Sequence, residues 1–168
     1  TQLVFKNNVR LNLRPTDFEK GVIQIAMRIG SGSLTAPKDK PGLPMVASAT
    51  YAAGGLAEHS ADDLQRLFAG NMVGAGFAVD EDAFVISGRT NAEDLLLQCQ
   101  LMAAYLTAPG YRPESLRQFR RQLDTLYTQL THSPQGVMAN EVTKYMHGGD
   151  HRFGFPAQNV LEQRNLEE

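Results

Sequence analysis

The sequence of 168 residues predicts an α+β fold, a two-layer α/β sandwich in which helices cover a largely antiparallel sheet. Two observations support this prediction. The predicted elements are grouped along the chain, with three strands, two helices, two strands and then about three helices. Short polar segments of the kind found in hairpins join neighbouring strands, which indicates antiparallel pairing.

The first thirty residues carry the pattern of β-strands. Two short apolar segments, residues 3–5 and 9–13, flank the turn-forming pair Asn7-Asn8, and the second segment alternates apolar with polar residues. We therefore expect a hairpin with one face in solvent. Residues 21–30 form a third predicted strand, because β-branched residues are frequent between the two glycines that bound it.

A buried helix of about three turns is predicted after a loop rich in Gly, Ser, Pro and Lys at residues 31–41. Pro41 and Gly42 end this loop, and a run dominated by Leu, Met, Val, Ala and Tyr follows. Gly54-Gly55 stops the run. A helix with small residues on several faces packs closely under a sheet, so packing alone explains these residue types.

The middle of the chain predicts one more helix and a second hairpin. Ser60 is placed to cap a helix that runs to Phe68, with acidic residues in its first turn. Residues 72–79 and 83–88 are predicted strands on either side of the acidic segment 80–82.

A helix from Asn91, its predicted cap, to Leu106 follows, and Pro109-Gly110 ends it. The pattern predicts that its one cysteine is buried and inert. Five residues near helical periodicity define its predicted buried face: Leu95, Leu96, Cys99, Met102 and Ala103.

Three further helical segments complete the prediction. Pro113 begins a long helix, Pro134 begins another that runs to about His147, and residues 160–166 start a last amphipathic segment. The apolar positions of the long helix are Leu116, Phe119, Leu123, Leu126 and Leu130.

Composition excludes several classes of function. A net charge of −2 and a pI near 6.1 give no basic surface for nucleic acid or for an anionic membrane. No apolar run approaches the roughly 18 residues of a membrane span. The single cysteine excludes an intrachain disulfide and a CxxC site.

The size suits one domain, and we expect the chain to be a fragment of a longer one. A lone cysteine occurs in periplasmic and in cytosolic proteins alike, so it leaves the compartment open.

Two histidines imitate a metal-binding motif. His147 and His151 have the spacing of an inverted zinc motif, with Asp150 beside the second. Such a motif needs a helix that brings both imidazoles to one face, and Gly148-Gly149 disfavour a helix there. We interpret the segment as a helix end entering a loop.

The other polar candidates form no recognisable site. His59 and His132 are isolated, and no Ser/His/Asp or Cys/His set follows from the spacing. We interpret the acidic turn at residues 80–82 as solvated. Three arginines of the long helix are interpreted as a basic face that pairs with neighbouring acids: Arg117, Arg120 and Arg121.

Several landmarks occur in a fixed order along nearly the whole chain. They are Asn8-Val-Arg-Leu-Asn-Leu-Arg-Pro-Thr16, Ile29-Gly-Ser-Gly-Ser33, Lys40-Pro-Gly-Leu43, Gly54-Gly55, Ser133-Pro134 and Gly149-Asp-His-Arg-Phe-Gly-Phe-Pro156. In this order and spacing they resemble the pitrilysin or insulinase family of zinc metallopeptidases, which includes mitochondrial processing peptidase. The resemblance implies the LuxS/MPP-like metallohydrolase fold.

The resemblance also implies that the chemistry of that family is missing from this chain. Catalytic domains of the family carry His-x-x-Glu-His on the helix after the Pro-Gly-Leu entry, where Met45, Ser48 and Ala49 stand here. The third ligand, a glutamate, falls near Thr125 or Leu126. These side chains cannot replace two imidazoles and two carboxylates, so we expect no catalytic, cofactor-binding or metal-binding residue.

Family members pair an active half with a degenerate half that together close over a peptide. The resemblance therefore implies a single non-catalytic domain over residues 1–168 of the degenerate half. Its implied partners are a catalytic half that holds zinc, in the same chain or a partner subunit, and a peptide substrate. Two alternatives remain open, a non-enzymatic scaffold or assembly subunit of the same fold, and an enzyme that uses an unrelated site.

Overall fold

The computed structural model describes all 168 residues and has an α+β fold, as the sequence predicts. The strands are β1 (Gln2–Val4), β2 (Arg10–Asn12), β3 (Ile23–Ile29), β4 (Gly76–Val79) and β5 (Phe84–Thr90). The α-helices are α1 (Leu43–Thr50), α2 (Ala61–Leu67), α3 (Leu95–Thr107), α4 (Pro113–His132), α5 (Pro134–Val137), α6 (Thr143–Met146) and α7 (Gln158–Glu162). A π-helical turn, Met138–Val142, joins α5 to α6, and short 3-10 helices lie at Gly32–Thr35 and Ala52–Gly54.

The main sheet has three antiparallel strands in the order β3-β5-β4, so that β3 and β4 are both edge strands. Its inner face packs against the helices. Its outer face, which includes Ala26, Ala78 and Ser87, is exposed. The inner face contributes four apolar side chains: Ile25, Met27, Phe77 and Ile86.

Two apolar clusters hold the helical layer together. One joins the sheet to α2 and α3, and the other joins α1, α4 and α7. The buried members of the first are Leu64, Ile86, Leu101, Met102 and Tyr105. The buried members of the second are Val46, Leu116, Phe119, Leu123 and Leu161. The predicted apolar face of the long helix α4 is confirmed, because Leu116, Phe119, Leu123 and Leu130 are buried and Leu126 is half-buried against the second cluster.

The N-terminal hairpin forms as predicted, with Asn8 in the left-handed conformation that its turn requires. The expectation that only one face is solvated is wrong for this structure. Leu3 pairs with Leu11 on the apolar face, and both side chains are exposed, as is every residue of the hairpin. The hairpin is a separate two-stranded sheet with no helix over its apolar face.

The strand β4 is shorter than the sequence predicts, because residues 72–75 are not part of it. The backbone there forms hydrogen bonds with the side chains of Asp94 and Gln98 instead of with a neighbouring strand. The backbone N–H of Met72 donates to Asp94 at 2.7 Å. The backbone of Gly74 exchanges two hydrogen bonds with the Gln98 amide, at 3.0 and 2.9 Å.

The buried face of α3 differs from the prediction. Gln98, Leu101, Met102 and Tyr105 face the core, whereas Cys99 is exposed. Every residue of α3 is uncharged, so apolarity alone does not mark one side of this helix. The two bonds that Gln98 makes with Gly74 fix the rotation of the helix and turn the thiol outward.

Helix ends mostly follow the sequence signals. Ser60 and Asp63 form a reciprocal capping box at the start of α2, and α4 and α5 begin at Pro113 and Pro134. Asn91 accepts a hydrogen bond from the backbone of Asp94, but the α-helix begins later than predicted, at Leu95. No helix combines the length and the apolar character needed to cross a membrane.

Candidate functional site at the first helix

The helix α1 begins at a glycine that its surroundings require. Gly42 has φ 82°, in the left-handed region, and a Cβ at this position would collide with Leu161 and Pro156. Pro44 lies in the first turn, where its missing N–H costs no helical hydrogen bond. The start of α1 is therefore fixed against α7 and against the loop that ends at Pro156.

The three positions singled out on α1 have different environments. Met45 is half-buried and packs against the apolar cluster of α1, α4 and α7. Ser48 is half-buried, and its Oγ accepts a hydrogen bond of 3.0 Å from the backbone N–H of Val79. Ala49 is exposed. Of these three residues only Ser48 has a polar side chain, and its hydroxyl already accepts a hydrogen bond from the edge strand β4.

The two positions considered for the third ligand lie on α4, which packs against α1. Leu126 is half-buried and joins the same apolar cluster as Met45. Thr125 is exposed. Neither side chain offers a carboxylate.

A cleft of about 400 Å³ lies beside α1. Met45, Ser48 and the end of β4 form one wall, and the loop from His151 to Pro156 forms another. Charged groups of both signs stand at its margin, namely Lys40, Glu81 and Arg152. Most of the accessible wall is apolar, and polar and charged side chains stand around it, an arrangement that can bind an organic ligand.

Two side chains from neighbouring helices hold the loop that closes this cleft. The backbone N–H of Phe155 donates to Asn140 Oδ1 at 2.9 Å, from the π-helical turn before α6. The Tyr127 hydroxyl of α4 donates to the carbonyl of Pro156. Burial raises the pKa of Tyr127. These bonds give the loop a fixed position although it contains no regular secondary structure.

Asp150 and Arg152 form an ion pair at the entrance of the same loop. Arg152 donates from Nε at 3.0 Å and from Nη2 at 2.5 Å, and its backbone N–H donates at 3.0 Å. These bonds, with His151 nearby, hold the pKa of the Asp150 carboxyl well below its usual range. Asp150 is therefore a structural anion in this loop.

The two histidines of the imitated zinc motif do not share a helix face. The helix α6 ends at Met146, and the His147 ring stacks on Phe153 with centroids 3.7 Å apart. His151 Nδ1 lies 3.3 Å from Asp150. The interpretation of this segment as a helix end and a loop agrees with the structure.

The residues at α1 do not fit a zinc ion. A thioether, a hydroxyl that is already hydrogen-bonded and a methyl group replace the imidazoles and carboxylates that zinc needs. Nowhere in the chain do three or more His, Cys, Asp or Glu side chains stand where they could hold a metal ion together.

The remaining polar residues considered in the sequence make structural contacts or lie away from the cleft. Arg28 of β3 binds both Asp80 and Asp82, at 2.9 and 2.5 Å, and offsets part of the negative charge of the acidic turn, which stays exposed. Arg117 pairs with Glu114. Arg120 donates to the carbonyl of Arg164 instead of an acid. His59 and His132 lie near helix ends, apart from each other and from the cleft.

Sequence reasoning missed the residues that shape this site through distant contacts. Ser48 meets Val79, Asn140 meets Phe155 and Tyr127 meets Pro156 over separations of 31, 15 and 29 residues. No local pattern marks such contacts. The one available signal is that Ser48 is a polar residue within a largely apolar helical segment.

Similarity to known proteins lies in the fold. No protein-family model matches the sequence, and no curated protein sequence matches it. The periplasmic protease PqqL from Escherichia coli has a TM-score of 0.74 and 18% identity, over 99% of this chain and 18% of its own. The ferredoxin protease FusC, solved with Arabidopsis ferredoxin, gives 0.72 and 20%, over 98% of this chain and 18% of its own.

A third structure, described as a peptidase M16 inactive domain from Pseudomonas fluorescens, has a TM-score of 0.72 and 19% identity. It is matched over 99% of this chain and 41% of its own. The chain thus spans less than half the length of each of these structures. This chain has the pitrilysin-like fold of peptidase M16 domains.

Proposed function

We propose that this chain is a catalytically silent domain of a zinc-dependent metallopeptidase, with zinc held in the catalytic half of the same protein or in a partner subunit. Its work is to complete the chamber that receives the peptide and to pack against the catalytic half. The observation that carries the proposal is the hydrogen bond between Ser48 and Val79. Ser48 stands at the position of the family's catalytic glutamate, and its side chain stabilises the edge of the sheet.

The other residues of α1 support the same conclusion. Catalysis by a metallopeptidase requires a metal-bound water and a general base beside it. Met45 contributes to apolar packing, and Ala49 contributes no functional group. Among the similar folds is one described as an inactive domain. The α1 helix therefore keeps a packing role without the groups that would activate water.

The chamber role draws on the cleft beside α1 and on the similar proteins. PqqL and FusC are proteases, and FusC was solved with a protein ligand. A cleft of about 400 Å³ with apolar walls and charges of both signs is suited to a short stretch of polypeptide. We therefore assign a peptide as the substrate of the parent protein.

An activity measurement on the natural protein tests this proposal. Removal of zinc by a chelator is expected to abolish peptide cleavage, and zinc is expected to restore it. Ser48→Ala in the same protein is expected to leave kcat within about twofold of its original value, because Ser48 takes no part in the reaction. A loss of about 100-fold or more in kcat, with the fold intact, would contradict the proposal.

The scaffold alternative has its own support in the exposed apolar side of the N-terminal hairpin, which suits an assembly role. The two functions differ in whether a His-x-x-Glu-His sequence occurs in the parent protein or a neighbouring reading frame. Its presence there favours the peptidase, and its absence favours a non-enzymatic assembly subunit.

A further inference from the structure

The helix α3 is apolar on more sides than this domain can cover. None of its 13 residues is charged, from Leu95 to Thr107. The sheet and α2 cover the side that bears Gln98, Leu101, Met102 and Tyr105. Another side remains in solvent. A helix that is apolar all round is normally buried all round.

The exposed apolar residues of α3 form one continuous stripe, which we call the α3 stripe. At about 100° per residue its members fall within about 100° of arc, and they span about 16 Å along the axis. Leu96 has 71% of its surface exposed and Leu106 has 44%. The members of the stripe are Leu95, Leu96, Cys99, Ala103 and Leu106.

The neighbouring helix α4 shows that this chain can give a helix a polar outer side. Its exposed positions include Arg117, Arg121 and Asp124, while its apolar residues face the core. The two helices are joined by a short connection and lie in the same domain. The absence of charge from the α3 stripe is therefore not shared by the helix next to it.

The size of the stripe favours a tethered occupant over a second copy of the chain. Five side chains on one helix offer much less than the roughly 800 Å² per partner of a stable interface between separate molecules. A domain on the same polypeptide needs less contact area, because the tether keeps its local concentration high. The similar structures are long chains of which this domain spans 18 to 41%.

We propose that the α3 stripe is the contact surface for another domain of the same polypeptide, which meets it with an uncharged, apolar surface. This inference rests on the proposed place of the chain within a longer peptidase. It adds the surface through which the domain is held. Small side chains at Cys99 and Ala103, with leucines at both ends, let the backbone of the opposing element approach closely in the middle.

The chain carries its own reporter, because its single cysteine lies in the middle of the stripe. In the natural full-length protein, alkylation of Cys99 followed by peptide mass spectrometry measures how accessible the stripe is. We expect alkylation to be slower by about 100-fold than in the same protein unfolded in guanidinium. Alkylation at the rate of the unfolded protein would overturn the proposal.

Two matched variants and a dilution series complete the test. Leu96→Glu places a charge in the contact and is expected to raise the alkylation rate of Cys99 by about tenfold or more, whereas Gln118→Glu on α4 is expected to leave it unchanged. Protection that persists in a folded Leu96→Glu protein would show that α3 hides its own thiol and would overturn the proposal. Protection that disappears on dilution would assign the stripe to a second copy and would also overturn it.

Peptide cleavage by the same preparation separates this inference from the proposed function. If zinc-dependent cleavage is present and Cys99 is freely alkylated, the stripe is not a domain contact and the proposed function stands. If Cys99 is protected and no peptide is cleaved, the domain contact stands and the peptidase role fails.

Discussion

The helices α1 and α3 both form hydrogen bonds with the backbone of residues 74–79, but in different ways. Both are uncharged, and each uses one polar side chain to bond the backbone around β4, Ser48 at Val79 and Gln98 at Gly74. Gln98 is fully buried and makes two bonds, whereas Ser48 makes one bond beside an open cleft. The comparison teaches that Ser48 and Gln98, polar residues in two uncharged helices, supply hydrogen-bond partners to backbone groups that the strand ladder leaves unpaired.

The buried face of α3 supplies the largest expected effect. Met102→Ala removes a side chain with 1% of its surface exposed and is expected to lower the free energy of unfolding by about 2–5 kcal/mol. Leu96→Ala, on the opposite side of the same helix, is the matched control. In this chain alone, it is expected to change the free energy by less than about 0.5 kcal/mol. Equal losses in chemical denaturation would show that the two faces of α3 are wrongly assigned.

The amide of Gln98 comes next in size. Gln98→Ala leaves the N–H and the carbonyl of Gly74 without a partner, at an expected cost of about 1–3 kcal/mol in unfolding free energy. Gln100→Ala changes an exposed glutamine of the same helix and is expected to cost less than about 0.5 kcal/mol. A Gln98→Ala protein as stable as the Gln100→Ala protein would remove the structural role of this amide.

The hydroxyl of Ser48 is expected to matter less, since it makes one bond in a half-buried place. Ser48→Ala is expected to lower the unfolding free energy by about 0.5–1.5 kcal/mol and to speed hydrogen exchange at the Val79 amide. Ser48→Thr keeps the hydroxyl and is the control. Unchanged exchange at Val79 in Ser48→Ala would mean that the edge of β4 finds another partner.

The smallest expected effect is on the pH dependence of stability, to which the start of α3 contributes an aspartate and the start of α1 does not. The backbone N–H of Met72, with Asn71 and Asn91, holds the pKa of Asp94 below its usual range at the start of α3. A carboxyl with a lowered folded pKa stabilises the fold above its unfolded pKa and loses that contribution as pH falls through its folded pKa. The start of α1 has no acidic residue.

Asp94→Asn is therefore expected to flatten the fall of stability between about pH 4 and the lower folded pKa of Asp94. Asp62→Asn, a change of an exposed aspartate in the first turn of α2, is the control. Denaturation curves recorded across this range check the prediction. An equal pH slope in the Asp94→Asn and original proteins would contradict it.

Much of the fold follows from local signals in the sequence. Ser60, Pro113 and Pro134 mark helix starts because capping and proline geometry act within one turn. The amphipathic pattern of α4 fixes its buried side. The buried side of α3 could not be predicted, because a helix without charge has no preferred face until Gln98 meets Gly74. The late start of β4, at Gly76, has the same cause.

The candidate site was predictable in part. The sequence places the start of α1 and its non-ligating residues, because Pro41 and Gly42 precede the helix, but α1 ends at Thr50, before the predicted stop at Gly54-Gly55. It gives no sign of the partner of Ser48, since Val79 lies 31 residues away on another element. The loop of the cleft depends in the same way on Asn140 and Tyr127.

The central claim is that α1 keeps its packing and has no metal chemistry. Zinc content measured by elemental mass spectrometry on the purified chain, after equilibration with zinc and removal of free ion, tests it most directly. We expect less than about 0.1 zinc ion per chain, because no set of ligands is present. One tightly bound zinc ion per folded chain would contradict the account.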